Sequence, residues 1–278
     1  MTGGVGPVND IYRGGEGMEA SAAFTPPSGL RVLVTAGAAG IGRVVADELI
    51  DRGARVWVCD VSDEALAEFT AAHPEARATR ADVARDEDVQ ALVGAVREAW
   101  GGLDVLVNNA GIAGDTGGVD EIDPESWRRT VDINLNGQFY CAHHAAPMLR
   151  ESGGVLVNMA SVAGRLGYAY RTPYSATKWA IVGFTQSLAK ELGPDGVRVN
   201  AILPGIVRGP RMERVISARA EAVGVSYEEM EAEYLARISL RRMVEPQDVA
   251  HMVVFLCAPA GRNISGQALS VCGNVETL

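Results

Sequence analysis

Short apolar runs alternate along the chain with longer segments whose apolar residues recur at helical spacing. The runs are rich in β-branched residues and nearly continuous, which predicts buried strands. Strands are predicted at 31–35, 55–59, 76–81, 103–107, 155–159, 197–203 and 268–272. Helices are predicted at 44–50, 64–72, 86–100, 124–151, 174–192 and 247–257, with charged helical sequence at 210–243.

This alternation predicts the fold class. Strands that alternate with helices form a parallel sheet covered on both faces, so we expect an α/β, doubly wound, Rossmann-type sheet of about seven strands. Residues 30–278 are interpreted as one domain. Residues 1–29, rich in Gly, Pro, Ser and Ala, are predicted to form a flexible extension. The stretch 206–245 interrupts the alternation and is interpreted as a helical lid over the substrate site at the carboxyl edge of the sheet.

Composition and charge exclude several partners. The 278 residues are 47% hydrophobic, and 25 Lys and Arg stand against 35 Asp and Glu, a formal net charge of -10. An acidic chain is a poor ligand for nucleic acid, whose affinity rests on Lys and Arg, and the same argument disfavours anionic membranes. No apolar run reaches the roughly 20 residues of a membrane span. We therefore expect a small-molecule partner, with no nucleic acid and no membrane.

The cysteines and histidines carry no metal signature. Cys59, Cys141, Cys257 and Cys272 form no CxxC pair, and the histidines lack ligand spacing. Free, reduced cysteines favour a cytoplasmic protein. The chain also opens without a charged segment followed by an apolar core, so no secretory signal is predicted.

A glycine-rich segment follows the first predicted strand. Residues 35–42 read TAGAAGIG and precede the first predicted helix. This context is typical of a dinucleotide-binding turn, in which glycine lets the backbone approach the pyrophosphate and the helix N-terminus offers free N–H groups. We therefore expect a dinucleotide at Gly37, Gly40, Ile41 and Gly42. The alternative is a turn that serves packing alone.

Asp60 ends the second predicted strand, 18 residues after Gly42. An acidic side chain here binds the ribose hydroxyls of NAD and repels the 2′-phosphate of NADP. Neither the segment from Gly37 to Gly42 nor the neighbours of Asp60 contain Lys or Arg, and Arg43 is a weaker candidate. The sequence thus predicts NAD as the cofactor. The alternative is that Asp60 caps the next helix, a role that suits Ser62 better.

Tyr174 and Lys178 are four residues apart in a predicted helix, so their side chains share one face. A neighbouring ammonium favours the phenolate form of tyrosine, by about 4 kcal/mol at roughly 4 Å and an effective dielectric constant of about 20. Ser161 lies thirteen residues before the tyrosine. The set suits general acid–base chemistry; the alternative for Tyr174 and Lys178 is an ordinary amphipathic helix face.

Two further motifs complete a pattern. Asn108-Asn109-Ala110-Gly111 follows the fourth predicted strand, and Pro204-Gly205 follows the sixth. With the glycine segment, Ser161 and the Tyr174–Lys178 pair, they resemble the motifs of the short-chain dehydrogenase/reductase family, in its compact single-domain branch, over roughly residues 30–273. The resemblance implies hydride transfer to or from a nicotinamide cofactor. It also implies a homotetramer that packs through the two long helices, about 124–151 and 174–192.

The resemblance assigns roles to individual residues. It implies that Tyr174 is the general base in oxidation and the acid in reduction, that Ser161 hydrogen-bonds the substrate oxygen, and that Lys178 holds the nicotinamide ribose. Asn134 matches the family asparagine that supports a proton-relay water. The cofactor residues that it implies beyond the glycine segment and Asp60 are Asp82, Val83, Asn109, Ala110, Gly111, Tyr174, Lys178, Pro204, Gly205 and Ile206.

The chain departs from the family pattern at three places. Ala36 stands where the first glycine of the segment is usual, and Gly209 stands where a threonine often holds the carboxamide. The last strand ends Val271-Cys272-Gly273-Asn274 in place of the usual Val-Asp-Gly-Gly. These departures leave the carboxamide and C-terminal contacts open.

The residues expected to line the substrate pocket are Val162, Tyr168, Arg171 and Arg211. Arg208 and Arg214 lie near them in sequence, so an anionic or hydroxylated substrate is one hypothesis. The favoured alternative is that Arg171 and Arg211 form structural ion pairs with the acidic helix at 228–233.

Three functions are compared. The first is an NAD-dependent oxidoreductase acting on a secondary alcohol or ketone, with Tyr174 as general acid/base. The second is an NADPH-linked 3-oxoacyl reductase of the same family, which Asp60 disfavours. The third is a non-catalytic protein that senses the cofactor, which the intact Ser161, Tyr174 and Lys178 disfavour.

Overall fold

The computed structural model describes residues 22–275, apart from the side chains at positions 211, 218, 219 and 222. A parallel sheet of seven strands runs through it in the order β3-β2-β1-β4-β5-β6-β7. The strands are β1 Arg31–Thr35, β2 Arg55–Asp60, β3 Arg77–Arg80, β4 Val105–Asn108, β5 Val155–Met159, β6 Arg198–Pro204 and β7 Ala268–Val271. Strands β1 to β3 are added towards one edge of the sheet and β4 to β7 towards the other, which is the order of a doubly wound sheet. The predicted fold class is confirmed.

Nine helices connect these strands within residues 22–275. They are α1 Gly40–Ile50, α2 Asp63–Ala72, α3 Asp86–Trp100, α4 Pro124–Val131, α5 Gly137–Ser152, α6 Thr172–Leu192, α7 Pro210–Val223, α8 Tyr227–Ala236 and α9 Pro246–Cys257. A five-residue π-helix, Asp132–Asn136, joins α4 to α5. The long helix predicted at 124–151 is therefore continuous in direction but interrupted in its hydrogen-bond pattern.

The two faces of the sheet carry separate cores because successive strand side chains point to opposite faces. Val32 and Val34 of β1 pack with α1, α2 and α9 on one face. Leu33 packs with α3, α5 and the end of α6 on the other. The nearly continuous apolar runs of the sequence follow from this burial on both sides.

Several element boundaries differ from the sequence prediction. Helix α1 begins at Gly40, four residues before the predicted start, since the glycine turn itself forms its first turn. The charged region 210–243 contains two helices, because Gly224 ends α7 in a left-handed conformation and Ser226 starts α8 with a capping box.

The predicted N-terminal extension lies partly outside the described residues, which start at 22. Its remaining part lies on the domain: Phe24 stacks on Phe255 of α9 with ring centroids 6.3 Å apart, and Pro26 is buried. Residues 22–29 therefore contact the domain through α9, and the flexibility of the extension stays a prediction.

A glycine pair in α3 gives a stability prediction. Gly94 lies inside the helix and Gly101 caps it at φ +68°, and a Cβ at either position meets no heavy atom within 4 Å. We expect Gly94→Ala to raise the free energy of unfolding by about 0.5–1 kcal/mol. Gly101→Ala is expected to lower it by about 1 kcal/mol, because the left-handed conformation crowds the added Cβ. Urea denaturation measures both, and shifts of the same sign would contradict this account.

Candidate active site

The glycine turn after β1 leaves space at the N-terminus of α1. Gly40 has φ +55°, and a Cβ on it would meet no heavy atom within 4 Å. Ala39 precedes α1 and provides no side-chain cap. The first N–H groups of α1 therefore face open space beside a residue without a side chain, which is the arrangement that binds a phosphate group.

The other glycines of the turn are required by packing. A Cβ on Gly37 would lie 2.7 Å from Cγ1 of Val58 in β2. A Cβ on Gly42 would collide with the carbonyl oxygen of Ala36 and with the side chain of Asn109. Gly37 and Gly42 thus let the turn lie close to the sheet, and Gly40 leaves its outer side open.

Two side chains join the glycine turn to the segment after β4. Thr35 Oγ1 accepts hydrogen bonds of 3.0 Å from the main-chain N–H groups of Asn109 and Ala110. Asn109 Nδ2 donates to the carbonyl oxygens of Thr35 and Ala36 at 3.1 Å. Ala36 itself has φ +47°, so the missing glycine places an alanine in a left-handed conformation that these bonds hold in place. Sequence reasoning missed Thr35, because only strand pairing brings it to Asn109.

Asp60 opens onto a cavity of about 610 Å³ at the carboxyl ends of β1, β2 and β3. Its Oδ1 accepts hydrogen bonds from the main-chain N–H groups of Val61 at 2.8 Å and Ser62 at 3.2 Å. Ser62, not Asp60, is the N-cap of α2 and accepts from Ala65 N, so the alternative role of Asp60 as helix cap is wrong. The predicted cofactor residues Asp60, Asp82, Val83, Ala110 and Gly111 all line this one cavity.

The surroundings of Asp60 differ from the sequence prediction in one respect. Arg80 is the partner of Asp60 in the parallel register of β2 and β3, and it lines the same cavity with Arg85 and Arg129. Basic side chains are therefore present near Asp60, although none is adjacent in sequence. Arg80 already faces the carboxylate of Asp63 at 3.5 Å.

The segment Asp82–Val83 leaves β3 in a turn held by carboxylates. Asp82 N donates to Asp88 Oδ2 at 3.1 Å, and Asp82 Oδ1 accepts from Ala84 N at 3.0 Å. Val83 lies against α5, where a Cβ on Gly137 would be 2.8 Å from its Cγ2. The close approach of α5 places Val83 at the wall of the cavity.

Asn134 is fully buried in the π-helix and ties it to the segment after Gly111. Its Oδ1 accepts from Ile112 N at 2.7 Å, and its Nδ2 donates to Ile112 O at 3.0 Å and to Thr177 Oγ1 at 3.1 Å. Thr177 in turn donates to the carbonyl oxygen of Tyr174 at 2.8 Å. The π-helix, a feature common at functional sites, thus connects Gly111 to the helix that carries Tyr174.

Tyr174 and Lys178 lie together on the first turns of α6. The Nζ atom of Lys178 is 5.5 Å from the centroid of the Tyr174 ring and donates to Met159 O at 2.8 Å. Lys178 is only 4% exposed. A Cβ on Gly111 would lie 3.4 Å from Nζ and 3.2 Å from Asn134 Oδ1, so Gly111 allows the approach of Lys178 and Asn134.

Ser161 follows β5 in a loop packed directly on α6. It is 8% exposed, and its Oγ accepts from Ala163 N at 3.2 Å. Ser175 Oγ donates to Ala163 O at 2.9 Å, and a Cβ on Gly164 would collide with the backbone of Lys178 at 2.5 Å. The loop that carries Ser161 is therefore held against the turn of α6 that carries Tyr174 and Lys178.

Pro204, Gly205 and Ile206 leave β6 beside the last strand. Gly205 N donates to Val271 O at 2.9 Å, and a Cβ on Gly205 would lie 2.8 Å from Cα of Cys272. Val244 N donates to Ile206 O at 2.9 Å. The altered C-terminal segment with Cys272 thus forms the immediate support of Gly205.

The predicted substrate residues separate into different environments. Val162 is buried in the loop after Ser161. The guanidinium carbon of Arg171 lies 5.5 Å from the ring centroids of both Tyr168 and Tyr174. Among the described residues Arg171 has no ion pair, so the predicted pairing with helix 228–233 is wrong for it. Arg208 makes that pairing instead, with Glu231 at 3.7 Å, and it also pairs with Glu245 before α9 at 2.9 Å. The side chain of Arg211 lies outside the described part of the chain.

Possible metal ligands, helix lengths and thiols describe the rest of the described chain. Within it, no group of three or more His, Cys, Asp or Glu could hold a metal ion, and no helix is long and apolar enough to cross a membrane. Burial raises the pKa of the Cys59 and Cys257 thiols to about 12, so these groups stay protonated and unreactive near neutral pH.

The chain is similar to known oxidoreductases over most of its length. A family model described as Enoyl-(Acyl carrier protein) reductase matches residues 36–274. A Streptomyces coelicolor protein assigned as a ketoacyl reductase is 39% identical, with 87% of this chain and 95% of the relative covered. A 2,5-dichloro-2,5-cyclohexadiene-1,4-diol dehydrogenase of Sphingobium indicum is 37% identical over 90% of this chain and 98% of its own.

Solved structures show the same likeness. A single-substitution variant of actinorhodin polyketide ketoreductase with NADPH has a TM-score of 0.84 and 36% identity, covering 90% of this chain and 98% of its own. An NAD+-bound xylitol dehydrogenase also has a TM-score of 0.84, at 29% identity, covering 89% of this chain and 99% of its own. The two differ in the nicotinamide cofactor that they bind.

Proposed function

The chain belongs to the short-chain dehydrogenase/reductase family of oxidoreductases, and on that basis we propose that it transfers a hydride between NAD and a secondary alcohol or ketone. The observation that carries this proposal is the position of Tyr174 and Lys178. Both lie on α6 against the Ser161 loop, and Lys178 also reaches Gly111 at the wall of the Asp60 cavity. A substrate bound over Tyr174 is thus next to a site shaped for a dinucleotide.

The residues present fit a dinucleotide cofactor. The open space at Gly40 and the free N-terminus of α1 suit the pyrophosphate, and the cavity below Asp60 suits an adenosine. Lys178 and Tyr174 would hold the nicotinamide half together with Asn109, Pro204, Gly205 and Ile206. The chemistry that the nicotinamide supplies when bound is hydride donation to a ketone or hydride acceptance from an alcohol.

Four side chains take part in the proposed proton transfer, each in a different role. Tyr174 donates its phenolic proton to the substrate oxygen during reduction and accepts the proton during oxidation. Lys178 lies beside the same ring, with its ammonium 5.5 Å from the ring centroid. Ser161 donates a hydrogen bond that orients the substrate oxygen, and Asn134 holds the backbone along which a relay water reaches Lys178.

We favour NAD over NADP because of Asp60. Its Oδ1 is held by the N–H groups of Val61 and Ser62, which fixes the carboxylate at the cavity where the ribose hydroxyls would bind. A 2′-phosphate there would meet the negative charge. Arg80, already facing Asp63, offers only partial compensation.

A second candidate is an NADPH-linked 3-oxoacyl reductase. Relatives assigned as ketoacyl reductases and a neighbour with NADPH, together with Arg80, Arg85 and Arg129 around the cavity, favour this alternative. It requires tighter binding of NADPH than of NADH and activity on acyl thioesters. Equilibrium fluorescence titration with both cofactors separates the two candidates.

The reaction itself is tested with the wild-type protein. Purified protein is incubated with NAD and a panel of secondary alcohols, and separately with NADH and the matching ketones, while the absorbance of reduced nicotinamide is followed. The proposal expects turnover that is faster with NAD than with NADP. A protein that binds the cofactor but converts no alcohol or ketone would instead be a cofactor-sensing protein.

We further propose that α7 and α8 form a substrate lid in a cytoplasmic enzyme. Ile216, Ala220, Met230 and Met243 form a small core of their own, against which Ile206 packs. A helix pair with so small a core can move as a unit over the site, as lids do. Hydrogen exchange in 210–236 is expected to slow when substrate joins the cofactor complex, and unchanged exchange would contradict the lid.

Oligomerisation gives a separate prediction, since we propose a homotetramer. Phe139 on α5 is 48% exposed and Trp179 on α6 is 51% exposed, and Phe139 lies near Phe184 of α6 at 6.4 Å. An exposed aromatic surface of this kind is typical of an interface. We expect Phe139→Asp to lower the mass measured by light scattering to that of a dimer or monomer. Val223→Asp, at an equally exposed position on α7, is the control and should leave the mass unchanged; a wild-type monomer would contradict the proposal.

A further inference from the structure

Arginines around the site differ in how their charges are balanced. Arg208 faces two carboxylates, those of Glu231 and Glu245. Arg171 faces none within ion-pair distance among the described residues. Its side chain makes one hydrogen bond to the described residues, from Nη2 to Ala113 O at 3.1 Å. The positive charge of Arg171 is therefore not neutralised by the part of the protein that the structure describes.

Arg171 lies directly beside the tyrosine of the proposed mechanism. Its guanidinium carbon is 5.5 Å from the ring centroid of Tyr174 and 5.5 Å from that of Tyr168. The two rings hold the guanidinium in place through cation–π contacts. The charge of Arg171 is therefore adjacent to the ring of the proposed acid.

The hydrogen-bonding capacity of Arg171 is only partly used. Its Nε is buried and has no acceptor among the described residues. A buried donor without a partner is costly, and such groups in native proteins call for an explanation. The planar fork of arginine matches a carboxylate, which can accept two parallel hydrogen bonds.

Nearby backbone does not neutralise this charge. Arg171 is the N-cap residue of α6, whose first turn contains no acidic residue. The positive end of the helix dipole therefore adds to the charge of the guanidinium rather than opposing it. The surroundings favour an anion over a neutral group.

We propose that Arg171 is a specificity-determining residue that binds a carboxylate of the substrate, so the substrate is a hydroxy acid or oxo acid whose carboxylate lies a few bonds from the reacting carbon. This inference rests on the proposed function for the reaction and names the substrate class. The alternative is that Arg171 only positions Tyr174 and the loop that contains Ala113.

Paired substrates separate recognition from positioning. The probes are α-, β- and γ-hydroxy acids and the methyl ester of each. They are assayed with the wild type, Arg171→Met, Arg171→Lys and the control Arg97→Met, a half-exposed position on α3 outside the site. The wild type is expected to favour at least one acid over its ester by about tenfold to a hundredfold in kcat/KM, mainly through KM. Arg171→Met should remove this ratio, Arg171→Lys should keep part of it, and Arg97→Met should leave it unchanged.

The ratio decides between the two roles. If acid and ester fall together in Arg171→Met and the ratio persists, Arg171 has only a positioning role and the inference is wrong. Equal rates on acids and esters in the wild type would overturn it as well.

A binding measurement keeps this inference distinct from the proposed function. Thermal unfolding is followed with each acid and each ester, with and without NADH, at constant ionic strength. An acid that binds should raise the Tm of the wild type but not of Arg171→Met. If no alcohol reacts but this Arg171-dependent shift is present, the proposed function fails and the carboxylate site stands. If alcohols react and the shift is absent, the reaction stands and the carboxylate site fails.

Discussion

Tyr174→Phe is expected to lower kcat for ketone reduction about a hundredfold to ten-thousandfold, the range that general acid–base catalysis contributes. The substitution removes the phenolic proton and leaves the ring, so its contacts with Arg171 and Lys178 remain. The fold and the Asp60 cavity are unaffected because the hydroxyl is not part of either core. NADH affinity should fall by about fivefold at most, the value of one neutral hydrogen bond.

The measurement is steady-state kinetics combined with fluorescence titration of NADH. Tyr140→Phe on α5 is the matched control, and it should retain wild-type kcat because Tyr140 lies beside Phe139 and packs on the core between α5 and the sheet. A Tyr174→Phe protein with near wild-type kcat would remove the proposed acid from the mechanism. A parallel loss of NADH binding would mean that the substitution damaged the site as a whole.

Asp60→Ser is expected to reverse the cofactor preference. The substitution replaces the carboxylate held by Val61 and Ser62 with a neutral hydroxyl. The two charge-assisted hydrogen bonds proposed to the ribose hydroxyls are therefore weakened, and NADH affinity should fall about tenfold to a hundredfold. A 2′-phosphate carries a charge of roughly -1.5 to -2, and removal of the facing carboxylate should raise NADPH affinity by a similar factor. Arg80, the partner of position 60 in the register of β2 and β3, remains at the same cavity.

The control for this prediction separates Asp60 from Arg80. Asp63→Ser removes the carboxylate that faces Arg80 at 3.5 Å but leaves Asp60 intact. It should raise NADPH affinity only slightly and leave NADH affinity unchanged. If Asp63→Ser shifted the preference as much as Asp60→Ser, Arg80 rather than Asp60 would determine the cofactor.

Local patterns predicted the parts of the site that depend on one element. The four-residue spacing of Tyr174 and Lys178 placed both on one face of α6, and the glycine segment marked the start of α1. Asp60 was identified because strand β2 ends at it. These residues need only the helical or strand period and a turn to be placed.

The remaining features depend on which strands pair, and the sequence does not show that. Thr35 reaches Asn109 because β1 lies beside β4, and Arg80 reaches the Asp60 cavity because β3 lies beside β2. The sequence also does not show which arginines pair with a carboxylate, since nothing in it distinguishes Arg171 from Arg208. Only the fold places Arg208 beside Glu231 and Arg171 beside the rings of Tyr168 and Tyr174.

The central claim is that this site transfers a hydride from NADH while Tyr174 supplies the proton. The most direct test is to supply NADH deuterated at the carbon that carries the transferred hydride, together with a ketone that the wild type reduces, and to analyse the alcohol by mass spectrometry. The account predicts one deuterium on the carbinol carbon with the wild type and almost no labelled alcohol with Tyr174→Phe, although the variant still binds NADH. Unlabelled alcohol from the wild type, or equal labelling by both proteins, would contradict it.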